Sequence, residues 1–216
     1  MRKGFHEQLK QLENDMLKMG SMVEEAIYKS IKALKEQDLD LAEKVVEDDD
    51  KIDDFEIKLE EDSTKLIALQ QPVAKDLREI IVISKLATDL ERIGDHACNI
   101  ANMVLKIGEE PLIKPLIDIP RMTDIVTKRL RDSLEAFINL DVEKAREIAK
   151  QDEEVDILDE QILRELLTFM IEDPSTIRQA TSLIFISRFL ERIGDHSTNV
   201  CERVIYMATG DRDFNY

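Results

Sequence analysis

The sequence predicts an all-α protein built from two tandem repeats of an antiparallel three-helix bundle, with six long helices. Two observations lead to this prediction. The run Leu-Glu-Arg-Ile-Gly-Asp-His occurs twice, at 90–96 and at 190–196, and each copy is followed by an asparagine, Asn99 or Asn199. Apolar residues also recur at helical spacing along most of the 216 residues, without sustained strand-like alternation. A duplicated helical unit accounts for both observations.

The six helices are expected where apolar residues recur at three- and four-residue steps, with breaks at the predicted turns. In the first half of the chain they cover 5–36, 39–69 and 73–107. In the second half they cover 121–139, 142–171 and 174–209. Three helices of this length are enough to close a bundle around one apolar core.

The third helix of each half shows the apolar seam most clearly. In the first half, apolar residues alternate steps of four and three, beginning with Leu86, Leu90 and Ile93. This is the spacing of the seam in a left-handed helical bundle. Gly94 and Gly194 interrupt these helices, and each costs about 1 kcal/mol relative to alanine. We therefore expect a neighbouring helix to approach closely at both glycines.

Prolines mark the boundary between the halves. Three of the five prolines fall within residues 109–120, which we predict to be a linker. The first repeat is then expected over 1–108 and the second over 121–216. The matching halves and the proline-rich joint favour two bundles over one continuous six-helix array.

The charge of the chain restricts its partners. Lys and Arg total 30 against 47 Asp and Glu, which gives a formal net charge of −17. Such a field repels nucleic acids and anionic membranes and attracts metal cations or basic protein surfaces. No apolar stretch approaches the length needed to span a bilayer, and the first residues do not resemble a signal peptide. We expect a cytoplasmic protein without direct membrane insertion, with Cys98 and Cys201 as reduced thiols.

Each half also carries two pairs of acids with the spacing acid-x-x-x-Asp. The eight side chains are Asp49, Asp53, Glu91, Asp95, Asp152, Asp156, Glu191 and Asp195. Residues four apart share one face of a helix, and Glu91 and Asp95 should point away from the apolar seam. Hard metal ions bind several carboxylate oxygens, so these rows predict a surface metal site in each half. The alternative is a solvated acidic face that Arg92 and Arg192 help to neutralise.

Catalysis is the weaker interpretation of the same residues. His96 falls five residues after Glu91, whereas ferritin-like di-iron proteins use Glu-x-x-His and inward-facing acids. Glycine loops for phosphate, nucleophile–base pairs and CxxC motifs are missing from the sequence. We expect no enzymatic activity, with a carboxylate-bridged di-iron-type helical enzyme as the alternative and a scaffold without any site as a third option. His96 and His196 are expected to make hydrogen-bonded packing contacts.

Several of these residues resemble the PhoU family of bacterial regulators. The resemblance rests on the doubled run with its asparagine, on Gln71-Pro72 leading to Asp76-Leu77-Arg78, and on Glu172-Asp173-Pro174, and it covers essentially the whole chain. It implies two tandem three-helix bundles, a homodimer and a cytoplasmic location. It also implies a regulator of phosphate uptake and homeostasis. In this role the protein is an adaptor between the phosphate transporter's ATPase subunit and a sensor histidine kinase, and it damps the phosphate-starvation response.

The resemblance also bears on the acidic pairs. In some members of the family, multinuclear iron or zinc clusters lie on the bundle surface and are held by acid-x-x-x-Asp pairs. Those pairs correspond to the eight carboxylates named above, and all eight positions carry an acid in this chain. The resemblance therefore implies that each half has the ligands for one surface cluster of iron or zinc, without implying that the site is occupied.

Overall fold

The computed structural model describes residues 2–150 and 153–211 of the chain. Within these residues the protein is helical and contains no strand. The helices are α1 (Arg2–Glu36), α2 (Leu39–Gln70), α3 (Ala74–Ile107), α4 (Asp118–Asn139), α5 (Val142–Ala149), α6 (Glu153–Glu172) and α7 (Ile177–Thr209). The predicted all-α fold with two tandem three-helix repeats is confirmed.

Helix bounds differ little from the prediction. The predicted helix over 142–171 is described as α5 and α6, on either side of residues 151–152, which lie outside the described residues. Helix α4 begins at Asp118 rather than at residue 121, with Pro120 in its first turn. Proline is tolerated there because the first backbone N–H groups of a helix have no intrahelical partner. The last predicted helix opens with a 3-10 turn, Pro174–Thr176, before α7.

The turns after α1 and α4 repeat the same local structure. Asp38 caps α2 by accepting a hydrogen bond from the backbone N of Leu41 at 2.9 Å, and Asp141 caps α5 through Lys144 N at 3.0 Å. In both turns the residue before the cap is left-handed, with φ of 51° at Gln37 and at Leu140. The duplication visible in the sequence therefore extends to the backbone of its loops.

Each half is a bundle, and the two bundles meet along α3 and α7. In the first half α1, α2 and α3 pack on one another, and in the second half α4, α5 and α6 pack on α7. Contacts between the halves run mainly between α3 and α7, with a smaller set between α1 and α4. No helix among the described residues is both long enough and apolar enough to cross a membrane.

The two copies of the repeated run have the same burial, position by position, from 91 to 100 and from 191 to 200. In both copies the glutamate is half-buried and the aspartate is exposed. The predicted close approach is found at Gly94, whereas the contact at Gly194 is an ordinary van der Waals contact. A Cβ on Gly94 would lie 3.1 Å from Ile52, and one on Gly194 would lie 3.6 Å from Val155.

Candidate metal site

Three carboxylates converge on the outer face of the first half. Asp49 and Asp53 lie one turn apart on α2, Asp95 lies on α3, and one oxygen from each is within 4.8 Å of the others. The two helices can approach this closely because of Gly94, where a Cβ would lie 3.6 Å from Asp49 Oδ1. Glu91, one turn before Asp95, is half-buried beside them. Three of the four first-half residues predicted from the sequence therefore converge, and Glu91 lies close enough for the charges of Asp95 and Asp53 to act on it.

The electrostatics of this group favour a cation. Burial raises the pKa of Asp49, and burial followed by the charge of Asp95 raises the pKa of Asp53. Burial and the charges of Asp95 and Asp53 raise the pKa of Glu91 to about 6. Asp53 Oδ1 is buried and accepts no hydrogen bond from any described residue. A bound cation would satisfy this oxygen and reduce the repulsion that raises these pKa values.

Two further side chains border the site. Thr88 Oγ1 donates to Glu56 Oε1 at 3.0 Å, which places another carboxylate one turn beyond Asp53 on α2. The Cys98 thiol hydrogen-bonds to Asp49, and its own pKa is raised to about 12, mainly by burial. Sequence reasoning did not assign Cys98 to the site. The signal was its position three residues after Asp95, on the same face of α3.

Three of the four predicted carboxylates of the second half lie among the described residues. Asp152 lies outside the described residues, Asp156 and Asp195 are exposed, and Glu191 is half-buried. Burial, and then Asp195, raises the pKa of Glu191, but Arg188 opposes this change. Over residues 2–150 and 153–211, the first-half triad is the one group of three ligand side chains with this spacing.

Two arginines enter the second-half site. Arg188 Nη1 lies 2.9 Å from Asp159 Oδ2 and 3.8 Å from Glu191 Oε1. Arg129, on α4, is only 4% exposed, and its Nη2 donates to Thr198 Oγ1 at 2.9 Å. Sequence reasoning missed both roles because it considered only the repeated acids. Alignment of the halves would have shown the signal, since Arg129 and Arg188 correspond to the neutral Ala26 and Thr88.

The repeated histidines do not join the carboxylates. His196 Nδ1 lies 3.3 Å from Oδ1 of the buried Asp89, whose other oxygen accepts a hydrogen bond from Arg203 Nε. Burial alone would raise the pKa of Asp89, but the hydrogen bonds from His196 and Arg203 hold it below its ordinary value. The predicted hydrogen-bonded packing role therefore fits His196.

His96 differs from this prediction. It stacks on Phe189, with ring centroids 5.8 Å apart, and its buried Nδ1 has no hydrogen-bond partner among the described residues. Burial lowers the pKa of His96 to about 4. Neither histidine supplies the Glu-x-x-His arrangement of ferritin-like di-iron sites.

A duplicated three-helix bundle with converging carboxylates on its outer face defines the class: a tandem-repeat helical protein with a surface acidic site. The chain belongs to the PhoU family, as the sequence resemblance predicts. The PhoU domain matches residues 16–104 and again 119–204.

Relatives and solved structures support this assignment over the whole chain. A phosphate-specific transport system accessory protein PhoU homolog from Clostridium acetobutylicum is 43% identical over 97% of this chain and 96% of its own length. The crystal structure of PhoU from Pseudomonas aeruginosa matches with a TM-score of 0.91 at 38% identity. The match covers 96% of this chain and 100% of that chain. The phosphate transport system regulatory protein PhoU from Streptococcus pneumoniae has a TM-score of 0.89 at 33% identity, with 96% and 98% coverage.

Proposed function

We propose that this protein is a cytoplasmic, non-enzymatic accessory protein that regulates phosphate uptake. The observation that supports this most directly is similarity over nearly the full length to proteins named phosphate-specific transport system accessory protein PhoU. In this role it is an adaptor between the ATPase subunit of a phosphate transporter and a sensor histidine kinase. It keeps the phosphate-starvation response low when phosphate is plentiful.

Recognition of a basic partner surface is the proposed mechanism. The chain carries a net charge of −17, and the convergent carboxylates of the first half concentrate negative charge at one outer face. Complementary charges steer association and fix its register. The acidic face would contact the partner directly or through a bound metal.

We propose that the metal is held by Asp49, Asp53, Glu91 and Asp95. The side chains fit such an ion, because three carboxylate oxygens converge within 4.8 Å and the buried Asp53 Oδ1 lacks a hydrogen-bond donor among the described residues. Iron and zinc, as one ion or a cluster, both accept carboxylate oxygens. When bound, the metal would supply open coordination positions for neutral oxygen donors within the partner's basic surface.

A homodimer is also proposed. The turns before α3 and α7 expose apolar side chains, among them Leu69 at 75%, Val73 at 74% and Ile171 at 82%. Exposed apolar side chains at two equivalent turns are suitable for contacts with a second copy or with a partner. Light scattering after size-exclusion chromatography measures the mass, and a mass of one chain at micromolar concentration contradicts the dimer.

The adaptor function is tested by capture of the purified transporter ATPase subunit. The variant Glu91→Ala/Asp95→Ala removes α3's contribution to the acidic face of the first half. Its matched control is Glu191→Ala/Asp195→Ala, which makes the same change at the equivalent positions of the second half. We expect the first variant to lose capture and the control to retain most of it. Undiminished capture by the first variant contradicts the proposed role of this face.

A further inference from the structure

The two halves can be aligned residue by residue around their acidic sites. Helix α4 corresponds to α1 at a separation of 103 residues, and α7 corresponds to α3 at a separation of 100. The alignment is structural as well, because Ser30 and its counterpart Ser133 are both buried and both donate to a backbone carbonyl three residues earlier. Positions 26 and 129 are therefore equivalent, as are positions 88 and 188.

Among the described residues, the polar side chain nearest to Gly94 is an acid of α2, whereas the one nearest to Gly194 is an arginine of α4; Asp152, the counterpart of Asp49, lies outside the described residues. A Cβ on Gly94 would lie 3.6 Å from Asp49 Oδ1, and a Cβ on Gly194 would lie 3.6 Å from Arg129 Nη1. In the first half Ala26 and Asp49 line an open cavity of about 200 Å³, together with Lys29 and Lys51, whose amines pair with Glu25 and Asp48. In the second half Arg129 extends from the equivalent position and is almost fully buried.

A second arginine repeats this difference on α7. Thr88 is neutral and donates a hydrogen bond to Glu56, whereas its counterpart Arg188 forms an ion pair with Asp159, the counterpart of Glu56. Arg188 is half exposed, so solvent screens its charge, and Arg129 is the stronger of the two cations.

From these pairs we infer that the halves are not equivalent as metal sites: the first half binds the metal, and the second half carries Arg129 and Arg188 in its place. A metal ion entering the second half would be repelled by a buried guanidinium and would have to compete for carboxylates that already have cationic neighbours. The first half has no cation at the two equivalent positions. This inference rests on the proposed metal site and adds that it is single.

The same comparison gives a role to the second half. Its acids and arginines form a site that is neutralised from within, so its structure does not depend on the supply of metal. Only the first half would then change charge when metal binds or leaves. The chain would present one metal-dependent surface and one metal-independent surface to its partners.

Zinc binding to single variants tests the inference. Purified protein is stripped with chelator and titrated with Zn²⁺ in competition with a chelating dye, which gives the affinity, and zinc per chain is measured by elemental analysis after desalting. Asp53→Asn removes a first-half ligand, and Asp156→Asn is the same change at the equivalent position of the second half. We expect Asp53→Asn to weaken Zn²⁺ binding about tenfold or more, which corresponds to about 1.4 kcal/mol, and Asp156→Asn to leave it unchanged. Equal losses in the two variants contradict the inference.

Exchange of the residues at the equivalent positions is the stronger test. Ala26→Arg brings a guanidinium into the first half and should lower its affinity for Zn²⁺. The double variant Arg129→Met/Arg188→Thr removes both guanidinium groups and keeps most of the buried volume of residue 129. It should bind zinc at a second site, in the second half. Adding Asp156→Asn to this double variant should abolish the second site. A double variant that is fully helical by circular dichroism and still binds no additional zinc contradicts the inference. Lack of zinc and iron on the wild type contradicts the first-half site itself, and capture of the ATPase remains a separate test of the adaptor function.

Discussion

The two halves of the molecule carry the same seven-residue run, and the histidine that ends each run has a different environment. His196 lies against the carboxylate of Asp89 on the other half, while His96 lies against the ring of Phe189. The two imidazoles also face each other, with centroids 5.7 Å apart. Identical local sequence therefore fixes the position of a side chain on its helix but not the chemistry around it.

The difference arises from the way α3 and α7 cross. They run antiparallel, so the two equivalent histidines meet each other, whereas the residues on either side of them meet non-equivalent positions of the other copy. Asp89 corresponds to Phe189 and Arg203 corresponds to Met103, which makes one flank of the crossing ionic and the other flank aromatic. A duplicated fold can diverge at such contacts without changing either bundle, because each flank is built from its own residues.

The largest effect is expected on the ionic flank. Asp89 is 1% exposed and is the partner of both Arg203 and His196, so Asp89→Ala leaves two polar groups without their carboxylate. We expect the free energy of unfolding to fall by about 3 kcal/mol. Denaturation by urea at neutral pH measures the change. Asp89→Asn retains the shape of the side chain, so its free energy of unfolding should fall by less. A decrease below about 1 kcal/mol for Asp89→Ala would show that the ion pair contributes little to stability.

A smaller effect is expected on the aromatic flank. Phe189 is half-buried between His96 and Phe185, so Phe189→Ala removes a packed ring and should lower the free energy of unfolding by about 1.5 kcal/mol. Phe185→Ala is the matched control, since this ring is 47% exposed, and its loss should stay near 0.5 kcal/mol or below. If Phe189→Ala lowers the free energy of unfolding by more than Asp89→Ala does, the aromatic flank contributes more to stability than the ionic flank and the prediction is wrong.

The aromatic flank also predicts a dependence on pH. The pKa of His96 is lowered from 6.5 to about 4, chiefly by burial and then by His196 and Arg192. As pH falls below about 6.5, the unfolded chain takes up a proton at His96 before the folded protein does, so stability is lost down to about pH 4. His96→Leu should reduce the loss between about pH 7 and about pH 5 by roughly 1 kcal/mol.

His6→Leu, which removes the exposed histidine of α1, is the control for this experiment. Carboxylates with raised pKa values, such as Glu91, act in the opposite direction and are common to all variants. The informative quantity is therefore the difference between the pH profile of each variant and that of the wild type. A profile for His96→Leu that runs parallel to the wild-type profile would contradict the lowered pKa.

The sequence predicted the helices well because their limits are set locally. Asp38, Asp141 and Asp173 each accept a hydrogen bond from a backbone N–H at the start of a helical segment, and such caps can be recognised without tertiary information. The start of α4 was predicted three residues late because proline is compatible with a first helical turn as well as with a linker.

The candidate site was only partly predictable. Helical spacing places Asp49 beside Asp53 and Glu91 beside Asp95, but their convergence depends on how α2 crosses α3 at Gly94. Arg129 was missed because it reaches its site from another helix, and Asp89 because its partners lie more than 100 residues away in sequence, at separations of 107 and 114. Such contacts are set by packing between helices, and periodicity along one helix contains no information about them.

The smallest effect compares the two glutamates of the repeated run. In the metal-free protein the raised pKa of Glu91, about 6, means that its ionised form destabilises the folded state at neutral pH. The repulsion is absent when the group is protonated, so Glu91→Gln should raise the free energy of unfolding by about 0.5 kcal/mol with chelator present. Glu191→Gln should gain less or lose stability, because Arg188 lies 3.8 Å from Glu191.

Added Zn²⁺ should make the wild type more stable than Glu91→Gln, because the variant lacks one of the proposed metal ligands. The ranking of Glu191→Gln against the wild type should not change when zinc is added. Equal changes in both variants, with and without zinc, would mean that the two acidic sites are electrostatically alike despite their different arginines.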